Sequence, residues 1–133
     1  MKIAVIGAGF AGLSTAKALR EFDHEVVVFD KAPDVGGVWS VTRRYPGLRT
    51  QNNKGTYALS ELPMPRSYPE WPTGAQVQAY LESYVDKFGL GPSLRLGAEV
   101  TYATPVEDGW EVTTGPTTAA LPTTAVKNLR PNQ

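Results

Sequence analysis

The sequence predicts an α/β fold with a parallel sheet, and three observations carry that reading. A short β-branched run, Lys2–Ile6, breaks into glycines at G-x-G-x-x-G spacing, with Gly7, Gly9 and Gly12. A helix-like stretch follows, with Leu13, Ala16 and Leu19 on one side. A second apolar run, Val26-Val27-Val28-Phe29, then ends on Asp30. Both runs are short, apolar and bounded by turn signals, as buried parallel strands are. Strand, glycine turn, helix, strand and acid in this order make a βαβ unit of the dinucleotide-binding, Rossmann-like kind.

Each glycine has a separate task. Gly7 permits the tight turn out of the strand, Gly9 lets the backbone approach a pyrophosphate, and Gly12 lets the helix pack closely. The free N–H groups at the start of the helix, with the positive end of its dipole, then face the phosphates. Asp30 falls about 20 residues beyond the glycines, where a ribose-binding acid belongs. A carboxylate there accepts hydrogen bonds from a ribose diol and repels a 2′-phosphate, so this first site suits FAD or NAD over NADP. A glycine turn in an unrelated α/β protein is the competing reading.

After a polar link containing Pro33 and Asp34 comes Val35-Gly36-Gly37-Val38-Trp39. Taken alone, such a glycine pair is more often just a turn. In this place it suits a backbone passing close to an extended ligand. A flavin reaches further than the first turn, so FAD fits better than NAD.

The chain resembles the flavin-containing monooxygenases and the related Baeyer–Villiger monooxygenases. The segments that carry the resemblance are GAGFAGLSTAKAL, VVFDKAPDVGGVW, YPGLRTQNNKGTYALSELPMP and WPTGAQVQAYLESYVDKFGL, running from near Lys2 to about Thr114. The resemblance implies an FAD domain split in sequence around an inserted NADPH domain. It also implies reduction of FAD by NADPH, reaction with molecular oxygen, and transfer of one oxygen atom to a soft nitrogen or sulfur, or to a ketone. By motif, Gly7, Ala8, Gly9, Phe10, Ala11, Gly12, Asp30, Lys31, Gly37, Val38, Trp39, Thr50 and Gln51 become candidate FAD contacts. Asp30 stands where the family more usually has glutamate. Counting back from Pro63-Met64-Pro65, Gln51 falls where the family commonly has an asparagine, with Asn52 beside it. A side-chain amide there can steady developing negative charge by hydrogen bonding, which makes Gln51 and Asn52 the candidate catalytic pair. A polar turn without chemistry is the alternative at that position.

Length and composition bound the rest. At 133 residues this is one domain at most, able to bury about two thirds of its unfolded surface. Thirteen Lys plus Arg balance thirteen Asp plus Glu, so no basic field points to nucleic acid or an anionic membrane. With no Cys and a single histidine, His24, no disulfide, cysteine metal site, histidine metal site or catalytic triad can be assembled. No apolar stretch approaches the about 20 residues that span a bilayer. The N-terminal run reads as a strand, not a signal peptide, which leaves a cytoplasmic location as the expectation.

Residues 31–72 are loop-rich, with six prolines between Pro33 and Pro72; Lys54–Ser60 is a candidate short helix. Residues 73–88 make the best helix. Thr73 with Gln76 forms a capping box, Gly89 supplies the stop, and Val77, Tyr80, Leu81, Tyr84, Val85 and Phe88 form one apolar stripe. That stripe predicts core packing, with no catalytic role for its tyrosines. Ser93–Leu96 reads as a third parallel strand. Val100–Ala103 and Trp110–Thr113 read as a hairpin around Glu107-Asp108-Gly109, the start of a small antiparallel meander.

The expected division is 1–114 as the N-terminal part of an FAD-binding domain, with 115–133 a weakly ordered Thr/Pro-rich tail. The sequence holds one G-x-G-x-x-G and no second one for NADPH, and the family pattern stops at Gly115, so the fold is expected to be C-terminally incomplete and the chain a fragment, a truncated product or one with a misread C-terminus. Alone, it is expected to bind FAD weakly and not to oxygenate a small-molecule substrate. The competing functions are a truncated, non-catalytic nucleotide-binding module and an NAD-dependent oxidoreductase.

Overall fold

The computed structural model describes residues 1–116 and 124–129. β1 (Lys2–Ile6) leads through the glycine turn into α1 (Phe10–Glu21), which returns the chain to β2 (Glu25–Asp30). After the long loop and α2 (Lys54–Tyr57), α3 (Gly74–Lys87) precedes β3 (Leu94–Leu96). These strands form a parallel sheet in the order β1-β2-β3, with Ile3 opposite Val26 and Phe29 opposite Arg95. The short third strand is the one expected at 93–96.

The core lies where α1 packs on the sheet and α3 packs on α1. Leu13 and Ala16 of α1, Val28 of β2, and Val77, Tyr80 and Leu81 of α3 are buried together. α3 carries the capping box expected of Thr73 and Gln76, each side chain bonding the other residue's backbone N–H. Its far end closes with Gly89 at φ +60°, whose N–H donates to the Asp86 carbonyl, while the Leu90 N–H donates to that of Val85. This is a Schellman closure, sealed by the buried side chain of Leu90.

The proline-rich loop lies against this core and is held by side chains, because proline donates no backbone hydrogen bond. The Lys54 ammonium donates to the carbonyls of Arg66 at 3.0 Å and Tyr68 at 2.5 Å. The Tyr80 hydroxyl accepts from the Leu59 N–H at 2.7 Å and donates to the Leu62 carbonyl at 2.5 Å. Tyr80 is thus occupied with structure, as its place on the stripe predicts.

β4 (Ala98–Val106) and β5 (Gly109–Pro116) form the expected hairpin, joined by Glu107-Asp108. Both strands are longer than the expected cores at 100–103 and 110–113. A register shift between Val100 and Tyr102 breaks the alternation that would have marked the full length. Part of the stretch expected as tail is strand: β6 (Thr124–Leu129) pairs antiparallel with β5, completing a meander in the order β4-β5-β6. Its start at Thr124 and its Val126 are β-branched and suit a strand. The remainder of that expected tail, residues 117–123 and 130–133, lies outside the described residues.

Candidate functional site

The first glycine turn sits at the C-terminal ends of β1 and β2, where open α/β sheets place their ligands. Gly7 adopts φ +105°, a conformation that an L side chain resists. A Cβ at Gly12 would lie 1.8 Å from the Gly7 carbonyl oxygen, so α1 crosses the turn at a distance only glycine permits. No side chain caps α1. Its leading backbone N–H groups and dipole therefore face the cleft.

Asp30 ends β2 and is buried, 8 % exposed. Its Oδ2 accepts from the Ala8 N–H at 2.7 Å and its Oδ1 from the Ala32 N–H at 2.8 Å. The carboxylate thereby ties the end of β2 to the glycine turn, a structural task that the sequence did not announce. A carboxylate offers about four lone-pair sites, so each oxygen keeps capacity for a ribose hydroxyl.

The second glycine turn, which continues as a single helical turn at Gly37–Trp39, closes on the first. The Gly36 N–H donates to the Ala8 carbonyl at 2.9 Å. A Cβ built on Gly37 would come 3.3 Å from the Gly9 Cα, so the two turns meet backbone to backbone. Between them opens a cleft of about 320 Å³ with Gly9, Ala11, Gly12, Gly37, Val38 and Trp39 on its walls. A second cleft, about 270 Å³, shares Ile6 and Gly7 with the first and runs past Asp30 and Lys31. The two adjoin at Ile6 and Gly7, one against an uncapped helix start and the other against a buried acid, and are together called the trough. A third groove, about 330 Å³, lies between residues 41–49 and the start of α3. Neither the fingerprint nor Asp30 lies on its walls, so chemistry and not size selects the trough.

Phe10 and Trp39, each on a wall of the first cleft, are joined through Tyr57 of α2. Tyr57 meets both rings edge-on, at centroid distances of 5.4 and 5.6 Å. Burial pushes its phenol above the ordinary range, which keeps it neutral.

The candidate catalytic pair lies elsewhere. Gln51 and Asn52 sit in an exposed bend and line neither cleft. Their neighbour Asn53 has a local task, capping α2 through the Thr56 N–H at 3.0 Å. Thr50 is 4 % exposed, and among the described residues its Oγ1 is the one buried side-chain polar atom without a hydrogen-bond partner. Thr50 lines neither cleft, and its hydroxyl is an unfilled bonding position beside Gln51.

Arg43, Glu99 and Tyr57 were missed by sequence reasoning. The first two line the acid-side cleft, and neither falls in a motif or a period. Among the described residues no group of three or more His, Cys, Asp or Glu could hold a metal, and no helix is long and apolar enough to cross a membrane.

Known proteins resemble this chain in sequence and in fold. The model of a family described as flavin-binding monooxygenase-like matches residues 1–117. A flavin-containing monooxygenase of Arabidopsis thaliana is 32 % identical over 83 % of this chain and 30 % of its own length. A Baeyer–Villiger monooxygenase of Streptomyces coelicolor is 41 % identical over 75 % of this chain and 19 % of its own. Among solved structures, an oxidized steroid monooxygenase bound to NADP superposes with a TM-score of 0.78 at 35 % identity, covering 85 % of this chain and 23 % of that one. A cyclohexanone monooxygenase in its open form gives 0.75 at 36 % identity, over 84 % and 23 %. The chain thus spans about a fifth to a third of the length of the relatives it matches. A match over nearly the whole chain, in sequence and in fold, makes it a member of the flavin-binding monooxygenase-like family.

Proposed function

We propose that residues 1–114 are the N-terminal part of the FAD-binding domain of an FAD- and NADPH-dependent monooxygenase, one that inserts oxygen into a soft nitrogen or sulfur, or into a ketone. One observation carries the reading. Two glycine turns meet backbone to backbone beside an uncapped helix start, and the cleft between them adjoins one lined by a buried aspartate. A helix start that attracts phosphate and an acid that accepts from ribose hydroxyls complement an adenosine diphosphate.

In this reading the leading amides of α1 hold the diphosphate, and the remaining lone pairs of Asp30 orient the ribose. Trp39 and Val38 cover the cleft and limit water there, while Lys31 borders its acid end. The Thr50 hydroxyl, placed among the flavin contacts by motif, has an unused donor that a bound flavin would engage. FAD when bound supplies the redox chemistry, taking electrons from NADPH and activating molecular oxygen. Gln51 and Asn52 would serve that chemistry only after the exposed bend moves over the cofactor. The remaining partners are a small-molecule substrate and oxygen, and the location is cytoplasmic, which cell fractionation checks.

The test is titration of FAD and of NAD into the purified 133-residue chain, followed by flavin and tryptophan fluorescence. FAD uptake with no NAD uptake is expected. Uptake of NAD alone would replace this reading with that of an NAD-dependent oxidoreductase. Oxygenated product is not expected from this chain with NADPH, since its one glycine fingerprint is the one that forms the trough. FAD uptake without turnover also describes a non-catalytic nucleotide-binding module. Assay of the sequence joined to a second glycine fingerprint separates the two.

A further inference from the structure

One wall of the trough is a turn, and turns move unless something holds them. Among the described residues, hydrogen bonds at Trp39, Ser40, Arg43 and Arg44 tie the 36–44 segment to itself. Besides the Trp39 ring against Tyr57 and the bond from Ser40 to nearby Asp34, hydrogen bonds tie it to the rest of the fold at two places: the Gly36 N–H to Ala8, and the side chain of Gln78 on α3.

Gln78 is 7 % exposed and lines neither cleft. Its Nε2 donates to Asp34 Oδ2 at 2.8 Å and to the Val35 carbonyl at 3.0 Å. Its Oε1 accepts from the Val41 N–H at 3.0 Å and from Arg44 Nη1 at 2.7 Å. A primary amide has two donors and two acceptor positions, so all four are filled. Its partners lie on both sides of Gly36–Trp39, and one side chain therefore grips both feet of the turn. The carboxylate of Asp34 fixes which way the amide faces, because it can only accept. Its other oxygen accepts from Ser40 Oγ at 2.5 Å, and Arg44 Nη1 also donates to the Trp39 carbonyl at 3.0 Å. The fit is tight: a Cβ on Gly36 would come 3.1 Å from the Ser40 nitrogen and 3.4 Å from Gln78 Cγ.

We propose that Gln78 is the positioning residue of the trough. Through Asp34 and Arg44 it sets how closely the second glycine turn approaches the first, and so sets affinity for the diphosphate without touching it. The inference rests on the FAD-binding reading above. It also places Asp34 in the same brace, as the group that orients the amide.

Binding of FAD, ADP and adenosine to the full 133-residue chain tests it, with melting of the unliganded protein followed in parallel. In Gln78→Leu, Kd for FAD and ADP should rise about tenfold, the loss expected when a buried hydrogen-bonded brace is removed. Adenosine engages only the acid end, so its Kd should change less than about twofold, a split that general loosening does not produce. Gln78→Glu sets two carboxylates against each other and should weaken FAD similarly. Adding Asp34→Asn reverses the donor and acceptor across that contact, and the double variant should recover part of the lost affinity, since the carboxylate oxygen at position 78 still faces the Val35 carbonyl. Wild-type FAD affinity in Gln78→Leu, or equal losses for all three ligands, overturns the proposal. So does a double variant that binds no better than Gln78→Glu, for whatever reason. Failure of the unsubstituted chain to bind FAD and ADP overturns the functional reading itself, and the brace with it.

Discussion

Asp30 and Thr50 are buried polar side chains with opposite bonding. Asp30 has each oxygen held by a backbone amide, so it is oriented before any ligand arrives. Thr50 has a hydroxyl with no partner at all. Replacing a buried hydroxyl by an apolar group of the same shape is neutral or stabilising when that hydroxyl is unpaired. Thr50→Val should therefore leave the unliganded melting temperature unchanged or raised, while FAD affinity falls several-fold, read by fluorescence titration. Unchanged affinity would remove Thr50 from the site. Gly12 is a different case, because its constraint is backbone against backbone. Gly12→Ala drives a Cβ to 1.8 Å from the Gly7 carbonyl oxygen, and urea unfolding should show a loss of about 3 kcal/mol. A loss below about 1 kcal/mol would mean that the turn yields, against the rigid crossing described here.

α1 is joined through Lys17 to the long loop by charge and to the ring of Phe88, which caps α3. The Lys17 ammonium lies 2.6 Å from Glu21 on its own helix and 3.0 Å from Glu61 in the loop, and above the Phe88 ring. Hydrogen bonding to Glu21, then to Glu61, raises the Lys17 pKa. Hydrogen bonding to Lys17 first of all lowers that of Glu61. The signs set two limits. The Glu61 contribution is present above the ordinary glutamate value of about 4.3 and is lost as pH falls through its lowered pKa. The Lys17 contribution is present below about 10.4 and is lost as pH rises through its raised pKa. Melting temperature against pH should fall at the acid end, and Lys17→Met should flatten that fall; an unchanged acid limb would show the contact to be idle. Further along, Thr73→Ala removes one half of the α3 capping box and should cost about 1 kcal/mol in urea unfolding. A neutral result would show that packing of the helix face alone sets its start.

Across the molecule, the parallel sheet has β1 and β3 as its two edges among the described residues. Among the described residues β1 pairs with β2 alone, and Ile6 at its end is 63 % exposed. An unprotected edge offers a row of backbone groups to any other strand. The purified chain should therefore self-associate as its concentration rises, and Ile6→Lys should reduce this, measured by light scattering after gel filtration. A concentration-independent monomer would count against an accessible edge. The matched relatives described above are about three to four times longer, as the aligned shares of the two chains imply. Affinity for FAD, more than turnover, is what the 133 residues can be asked to show.

Local chemistry made several features readable from residues alone. The glycine spacing, the acid ending β2, the Thr73–Gln76 box and the Gly89 stop depend on neighbours within a few residues, and the structure keeps all of them. The trough is also close to its expected membership, because strand ends and helix starts bring Gly9, Gly12 and Asp30 together by topology. Gln78 was hidden although it left a trace. It shares a helix face with Leu81 and Val85, and a polar residue on an apolar face asks for partners. Those partners, Asp34, Val35, Val41 and Arg44, lie more than thirty positions away. The exposed place of Gln51 and Asn52, the two amides on Asp30 and the full length of the meander were equally out of reach. Periodicity reports which face a residue occupies, whereas a hydrogen bond between distant segments exists only once the chain has closed on itself.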